Sequence, residues 1–320
     1  MIEVAVPSYR APAWLPGGHA QTLYPLLIKP PPPAYRRERW DTPDGDFIDV
    51  DWIDAPPPAP LLVLFHGLEG SSASHYAIAL MRAVQESGWA GVVVHFRGCS
   101  GAPNRLPRAY HSGDSAEIDW VLRRLRLRFP QRRICAAGVS LGGNALLKWL
   151  GERGQEAGTV VEAAAAISAP LDLTACGHHL GCGFNLVYTR HFLRTLKRGA
   201  AAKLARFPGL FDGARMARAQ NLYAFDDVVT APLHGFRDAA DYWRRASAKP
   251  LLRGIRVPTL LLNALNDPFL PAQVLPHTAE LSDAVCQETP RDGGHVGFVS
   301  GRWPGGLDWL PRRLLAFFAG

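Results

Sequence analysis

Ser140 lies within residues 138–142, which read GVSLG and place a hydroxyl group between two glycines. An apolar run at 134–137 comes directly before this pattern and an amphipathic segment follows it, which is the context of a nucleophile elbow. The glycines permit the tight strand-to-helix turn that holds such a serine in a strained conformation. Because the chain contains 31 glycines, the pattern alone is only moderate evidence for a nucleophilic serine.

A serine hydroxyl is a poor nucleophile until a base accepts its proton, and the C-terminal third offers both a base and an acid. Asp267 ends a segment (263–268, NALNDP) that follows a predicted strand, and His295 lies in a glycine-rich segment (292–298, DGGHVGF) after the last predicted strand. The chain order of serine, acid and histidine is the one that accompanies a nucleophile elbow. We therefore predict Ser140 as nucleophile, His295 as base and Asp267 as the acid that orients the base, with one helix and one strand between acid and base.

Other side chains compete for the roles of acid and base. Asp172 follows another predicted strand and is the main alternative acid, while Asp226 and Asp227 lie in a segment with no strand signal. Among the 11 histidines, two at strand ends are expected to shape the rim of the pocket and two to lie in the segment without strands: His66, His95, His178 and His179.

Residues 66–70 (HGLEG) directly follow the predicted strand 61–65. A loop in this position donates a backbone amide to the negatively charged oxygen of a tetrahedral intermediate. We predict that this oxyanion lies between the backbone N–H groups of Leu68 and Leu141, and that His66 and Gly67 contact the substrate. The alternative is an ordinary glycine-rich turn.

A compact group of potential ligands, Cys176, His178, His179 and Cys182, has a superficial likeness to a metal site. The spacing is too compact for a usual zinc site and no second ligand pair follows it. The chemistry predicted for Ser140 needs neither a metal ion nor an organic cofactor.

The elements that position these residues alternate short apolar runs with amphipathic segments, which predicts a doubly wound, mostly parallel α/β sheet. Strands are predicted at 61–65, 91–96, 134–138, 160–168, 259–263 and 285–288, and helices at 74–87, 114–128, 141–153, 272–282 and 307–318. Residues 35–40 and 47–53 resemble an antiparallel pair at the sheet edge, joined by a turn around Asp44 and Gly45. We predict a single domain (1–320) with an N-terminal arm (1–34) and an inserted helical cap (171–250).

The charge distribution favours an ordinary protein surface over a nucleic-acid site, although the formal net charge is +7. The densest group of arginines lies in and just after the predicted helix 114–128, whose apolar stripe leaves them on a solvated outer face; it comprises Arg123, Arg124, Arg126, Arg128, Arg132 and Arg133. Weak attraction to anionic lipid is the alternative.

Cysteine content and hydropathy bear on the compartment. The five cysteines are odd in number, and the N-terminus shows no basic segment followed by an apolar run and a cleavage site. We therefore expect reduced thiols and a cytoplasmic protein. No apolar stretch approaches the roughly 20 residues of a membrane-spanning helix, so any contact with lipid is expected to be peripheral.

Beyond the elbow and the histidine segment, several long strings occur along the chain, at 18–23 (GHAQTL), 66–72 (HGLEGSS), 95–101 (HFRGCSG), 108–114 (RAYHSGD) and 230–236 (TAPLHGF). With them, the sequence resembles the YheT-like branch of the α/β-hydrolases over almost its whole length. Ala20 departs from this pattern, because relatives often have a larger apolar residue there. The resemblance implies a carboxylic ester hydrolase whose triad falls on Ser140, Asp267 and His295, and it implies acyl esters, including phospholipids, as substrates.

Three functions share these features. The first is hydrolysis of a small-molecule acyl ester through an acyl-enzyme, in which aromatic and leucine side chains of the cap either bind the acyl chain or pack the cap onto the domain. The second is transfer of the acyl group from Ser140 to an alcohol, which needs the same catalytic residues. The third, a binding protein without catalysis on this scaffold, fits poorly with an intact nucleophile, base, acid and oxyanion loop.

Overall fold

One eight-stranded sheet runs through residues 6–320, the part of the chain that the computed structural model describes. Its strands are β1 (Arg36–Asp41), β2 (Phe47–Ile53), β3 (Leu61–Phe65), β4 (Ala90–Val94), β5 (Ile134–Val139), β6 (Ala163–Ile167), β7 (Thr259–Leu262) and β8 (Val285–Glu288). Their order is β1-β2-β4-β3-β5-β6-β7-β8. The pairs β1–β2 and β2–β4 are antiparallel and all others are parallel, which confirms the predicted mostly parallel sheet.

Helices cover both faces of the sheet. They are α1 (Gly18–Leu23), α2 (His75–Glu86), α3 (Ser115–Arg128), α4 (Leu141–Arg153), α5 (Leu173–Leu180), α6 (Leu186–Arg206), α7 (Gly213–Arg218), α8 (Leu222–Phe225), α9 (Ala231–Leu233), α10 (Ala239–Ala246) and α11 (Trp309–Ala319). The apolar residues of α3 and α4 are buried on one face, while α2 and α11 are buried on the other. The fold is therefore doubly wound, as predicted.

The central strands are continuous apolar runs because both of their faces are covered. Every residue of β3, β5, β6 and β7 is buried. Residues on alternate sides of these strands enter two separate apolar clusters. Because these strands run parallel to one another, their carboxyl ends and the loops that follow them lie along one edge of the sheet.

The helix predicted at 272–282 is wrong. Two short 3₁₀ turns, Ala272–Val274 and Thr278–Glu280, occupy this segment. Proline disfavours the α conformation of the residue before it and has no N–H group to donate to a helix. Leu275 precedes Pro276 and is extended, with φ −59° and ψ 146°, so the helical periodicity of the sequence is interrupted at this point.

The segment 171–250 connects β6 to β7 and contains the helices α5 to α10. Within the described residues no strand is found in this segment. Its apolar side chains form small clusters of their own, and one further cluster joins Tyr188 and Leu180 to Phe269 and Leu270, which follow β7.

The arginine group on and after α3 forms ion pairs with acidic residues of neighbouring elements. Arg123 binds Asp119 and Glu156, and Arg128 binds Glu38. The predicted outer face is correct except at Arg132, which is buried and donates to the carbonyl oxygen of Ala55 over 2.6 Å. Three of the six arginines, Arg123, Arg126 and Arg128, are therefore paired with carboxylates within the molecule.

Candidate active site

Ser140 occupies the sharp turn between β5 and α4, with φ 52° and ψ −117°. A positive φ is costly for a residue with a side chain, on the order of 1–3 kcal/mol. Hydrogen bonds hold the turn, since Ser140 N–H donates to the Ile167 carbonyl over 2.8 Å and the Ser140 carbonyl accepts from Asn144 N–H. Gly142 is required for close packing, because a Cβ atom there would lie 2.5 Å from the Phe65 carbonyl oxygen. The strained turn projects the hydroxyl beyond the sheet edge.

His295 lies between Ser140 and Asp267. Its Nε2 atom is 3.0 Å from Ser140 Oγ, and its Nδ1 atom is 2.9 Å and 3.1 Å from the two carboxylate oxygens of Asp267. Asp267 follows β7 and His295 follows β8, so the three side chains come from loops at the carboxyl ends of three parallel strands. The structure thus brings together the three residues predicted from the sequence.

The hydrogen-bond partners of His295 determine its tautomer. An ionised carboxylate only accepts hydrogen bonds, so the Nδ1–H group of His295 donates to Asp267 and Nε2 is left to accept the proton of Ser140. Asp267 is fully buried and also accepts from Phe269 N–H over 2.8 Å. The Phe269 ring stacks on the imidazole with centroids 4.0 Å apart. One ring face and both ring nitrogens of His295 are therefore in contact with neighbouring side chains.

The alternative acids are engaged elsewhere. Asp172 caps the N-terminus of α5 and accepts from Ala175 N–H. Asp226 accepts from Thr230 and from the indole of Trp243, and Asp227 lies within 3.4 Å of Arg215. None of these carboxylates contacts His295.

His66 and Gly67 do not line the cavity next to Ser140, which differs from their predicted contact with substrate. His66 is completely buried, its Nδ1–H group donates to the Gly67 carbonyl over 2.7 Å, and its Nε2 atom accepts from Phe96 N–H. Burial lowers the pKa of His66 to about 3, so the ring is neutral. Its role in the structure is to join the loop after β3 to the end of β4. His95 is likewise buried and bonds to Asp51 over 2.8 Å.

The loop after β3 holds one backbone amide free between two that are occupied. Gly67 N–H donates to the Tyr76 hydroxyl and Glu69 N–H donates to the Tyr110 hydroxyl, both over 2.8 Å. Tyr110 in turn donates to the Glu69 carboxylate. Within residues 6–320, neither Leu68 N–H nor the N–H of Leu141 at the start of α4 has a hydrogen-bond acceptor. Both residues line the same cavity as Ser140.

A cavity of about 440 Å³ extends from Ser140 and His295 into segment 171–250. Much of its wall is apolar and is contributed by the helices of that segment, including Leu173, Leu180, Phe192, Leu196, Phe225 and Trp243. This arrangement can hold an apolar chain next to the Ser140 hydroxyl.

Asp226 lies in the wall of this cavity, and burial raises its pKa to about 6 from an ordinary value of 3.8. Between pH 3.8 and pH 6 the unfolded chain releases this proton first, so the carboxyl group lowers the stability of the fold as pH rises through that window. We expect Asp226→Asn to become more stable relative to the wild type between pH 4 and pH 7, by on the order of 1–3 kcal/mol. Urea unfolding at both pH values measures the difference, and a difference that does not change with pH would contradict the expectation.

The described residues provide little that suggests a metal site. Cys176 is buried and Cys182 is exposed, and all five cysteines are free thiols. Within residues 6–320, no three His, Cys, Asp or Glu side chains are grouped so that they could hold a metal ion. In the same range, no helix has both the length and the apolar character needed to cross a bilayer.

The sequence matches known proteins over most of its length. A family model for the alpha/beta hydrolase fold matches residues 60–301. YheT of Escherichia coli (strain K12) is 43% identical over 309 residues, which cover 92% of this chain and 88% of YheT. The chain belongs to the YheT-like α/β-hydrolases.

Proteins that are less similar in sequence also match the chain over most of its length. Phospholipase ABHD3 of Homo sapiens is 30% identical to this α/β-hydrolase over 320 residues, covering 97% of this chain and 78% of the phospholipase. Among solved structures, the esterase EaEST from Exiguobacterium antarcticum superposes with a TM-score of 0.57 at 17% identity. That match covers 88% of this chain and 99% of the esterase, and it shows the shared fold.

The sequence alone did not reveal the residues that support the site of this α/β-hydrolase. Tyr76 and Tyr110 lie in no pattern that predicts contact with the loop after β3, and Tyr110 is 41 residues from its partner Glu69. Tyr110 lies within the string 108–114, but a string of residue types does not show which residues contact each other in the fold.

Proposed function

We propose that this chain is a serine carboxylic ester hydrolase. The observation that carries the proposal is the 3.0 Å contact of His295 Nε2 with Ser140 Oγ, combined with the buried Asp267 carboxylate on the other ring nitrogen. These are the contacts that convert a serine hydroxyl into a nucleophile. Ser140 and His295 both line a cavity that is large enough for an acyl chain.

The reaction begins when Ser140 Oγ attacks the carbonyl carbon of an ester and His295 Nε2 accepts the hydroxyl proton. Negative charge then develops on the carbonyl oxygen, where the N–H groups of Leu68 and Leu141 form the oxyanion hole. His295 returns its proton to the departing alkoxide, which leaves as an alcohol. Water next attacks the acyl-enzyme, with His295 as base, and releases the carboxylic acid and free Ser140.

The substrate class follows from the cavity. We propose that segment 171–250 is a cap that binds the acyl chain of a lipid-like ester, because its apolar side chains form much of the wall beside Ser140. The name of the related phospholipase supports a lipid substrate. The five free thiols support the expected reducing, cytoplasmic surroundings.

The proposed function is tested with a fluorophosphonate probe and a series of p-nitrophenyl esters from acetate to palmitate. Labelling of Ser140 and release of p-nitrophenol support the proposal, whereas absence of both contradicts it and favours a binding protein. Adding ethanol to the assay separates hydrolysis from acyl transfer. A dominant ethyl ester product at low ethanol concentration would identify the enzyme as an alcohol acyltransferase.

The two tyrosines that anchor the loop after β3 provide a further test. Tyr76→Phe and Tyr110→Phe each leave a backbone N–H without its acceptor and loosen the position of Leu68 N–H. We expect kcat to fall by about fivefold to tenfold in each, because a single hydrogen bond contributes roughly 1 kcal/mol. Steady-state kinetics with one ester measure this effect. Tyr24→Phe is the control, since that hydroxyl bonds to the Pro304 carbonyl, and an equal loss there would contradict a specific role for the loop.

A further inference from the structure

The loop that carries His295 has a strained backbone. Val296 and Phe298 have φ values of 59° and 42°, which is a costly conformation for residues with side chains. Gly294, next to the histidine, has φ 60°. Such a loop keeps one conformation only when neighbouring elements hold it, so the contacts made by its amides decide where the imidazole lies.

Thr22 of α1 contacts the backbone of the catalytic histidine directly. His295 N–H donates to Thr22 Oγ1 over 2.8 Å, while the Thr22 hydroxyl donates to the Gly18 carbonyl over 2.7 Å. The second bond uses the only proton of the hydroxyl, which leaves its lone pairs to face His295 N–H. Thr22 is buried, so water is poorly placed to replace it.

Gln21, the preceding residue, joins the histidine loop to the loop of the acid. Its Oε1 atom accepts from Gly293 N–H over 2.8 Å and from the Asn266 side chain over 2.9 Å. Asn266 precedes Asp267 in the chain and its own amide oxygen accepts from Gly294 N–H. The Gln21 amide group donates to the Leu15 carbonyl. Gln21 is 1% exposed and all of these contacts lie within the protein.

The backbone of α1 approaches the two loops so closely that side chains are excluded. A Cβ atom on Gly18 would overlap the Asn266 carbonyl oxygen, and a Cβ atom on Gly297 would overlap the Gln21 carbonyl oxygen. The position of α1 against these two loops is therefore tightly constrained. It also lies outside residues 60–301, the range that matches the alpha/beta hydrolase fold.

We infer that Thr22 and Gln21 are positioning residues for the catalytic base, and that α1 keeps His295 within hydrogen-bond distance of both Ser140 and Asp267. The inference rests on the proposed function, because it concerns the same triad. It assigns to the N-terminal string 18–23 a role in catalysis through the histidine loop, with no contact to substrate.

The test compares Thr22→Val, which keeps the shape of the side chain and removes the acceptor, with Thr22→Ser, which keeps the hydroxyl. In Thr22→Val we expect kcat to fall by about 10- to 100-fold, because small displacements of a catalytic group have effects of this size. KM should change by less than about twofold, since Thr22 does not line the cavity. Thr22→Ser should keep kcat within about threefold of the wild type.

Thr259→Val serves as the matched control. Thr259 is also buried and its hydroxyl also donates to a backbone carbonyl, that of Val257, but it lies at the start of β7, away from the carboxyl edge of the sheet. Its kcat should equal that of the wild type. Thermal unfolding of all four proteins separates a shift of the histidine from a general loss of structure.

Each outcome decides the inference. The inference is supported if kcat falls in Thr22→Val but not in Thr22→Ser, and the two variants have similar thermal stability. Unchanged kcat in Thr22→Val overturns it, as does a fall that Thr22→Ser or Thr259→Val shares. Gln21→Leu is a second test variant, in which we expect the same fall in kcat. The wild-type protein is assayed before any variant. If it has no esterase activity, that result refutes the proposed function and not this inference.

Discussion

Ser140→Ala is expected to lower kcat for ester hydrolysis by about 10⁶-fold, the size of effect seen when the nucleophile of a serine hydrolase triad is removed. The variant keeps the cavity and the oxyanion donors but has no atom that can form the acyl-enzyme. Alanine also relieves none of the backbone strain, because it has a Cβ atom at the same φ of 52°. Stability should therefore change little while turnover is lost.

Steady-state assays with p-nitrophenyl butyrate measure the loss, and intact mass after treatment with the fluorophosphonate probe shows whether the adduct disappears. Ser282→Ala is a suitable control, because Ser282 lies just before β8 and its hydroxyl has no hydrogen-bond partner within residues 6–320. The control should label and turn over like the wild type. Retained turnover in Ser140→Ala would place the nucleophile elsewhere and remove the basis of the proposed mechanism.

Asp267→Asn should lower kcat by about 10⁴-fold, while the fold is retained. The carboxylate accepts the Nδ1–H group of His295 on both oxygens. The amide of asparagine can donate to Nδ1, which favours the tautomer with its proton on Nε2. That tautomer cannot accept the proton of Ser140, so the base is disabled although all three side chains remain in place.

Kinetics on Asp267→Asn and Asp172→Asn together discriminate between the two candidate acids. Asp172 caps α5 by accepting from Ala175 N–H, and asparagine is an equally good cap, so this variant should retain wild-type kcat. The reverse result, with large loss in Asp172→Asn and little in Asp267→Asn, would transfer the role of acid to Asp172.

The sequence predicted those features that depend on local patterns or chain order. Buried parallel strands are apolar without interruption, and for this reason the predicted bounds of β3 and β5 agree with the structure to within one residue. Ser140, Asp267 and His295 follow strand ends in a fixed order, and the carboxyl ends of parallel strands meet at one edge. The pairing of these residues could therefore be predicted, although the distances between them could not.

Errors arose where one residue overrides a pattern or where partners are distant in sequence. Pro276 interrupts a helical periodicity that is otherwise clear. His66 has the sequence position of a cavity residue, but both of its ring nitrogens satisfy backbone groups. Arg132 belongs to a charged group on the surface, yet its side chain reaches the carbonyl of Ala55, 77 residues away. Such contacts depend on tertiary packing, which periodicity does not describe.

The contact between Thr22 and His295 has a consequence for the synthesis of the protein. The 273 residues that separate the two take roughly 14 to 55 seconds to translate at about 5–20 residues per second. Throughout that time the nascent chain contains α1 but lacks the histidine that would activate the serine, and for the last 155 residues of the interval it also contains Ser140. Under the proposed mechanism, Ser140 therefore gains its general base only once His295 has been synthesised, and the growing chain has no activated nucleophile before that point.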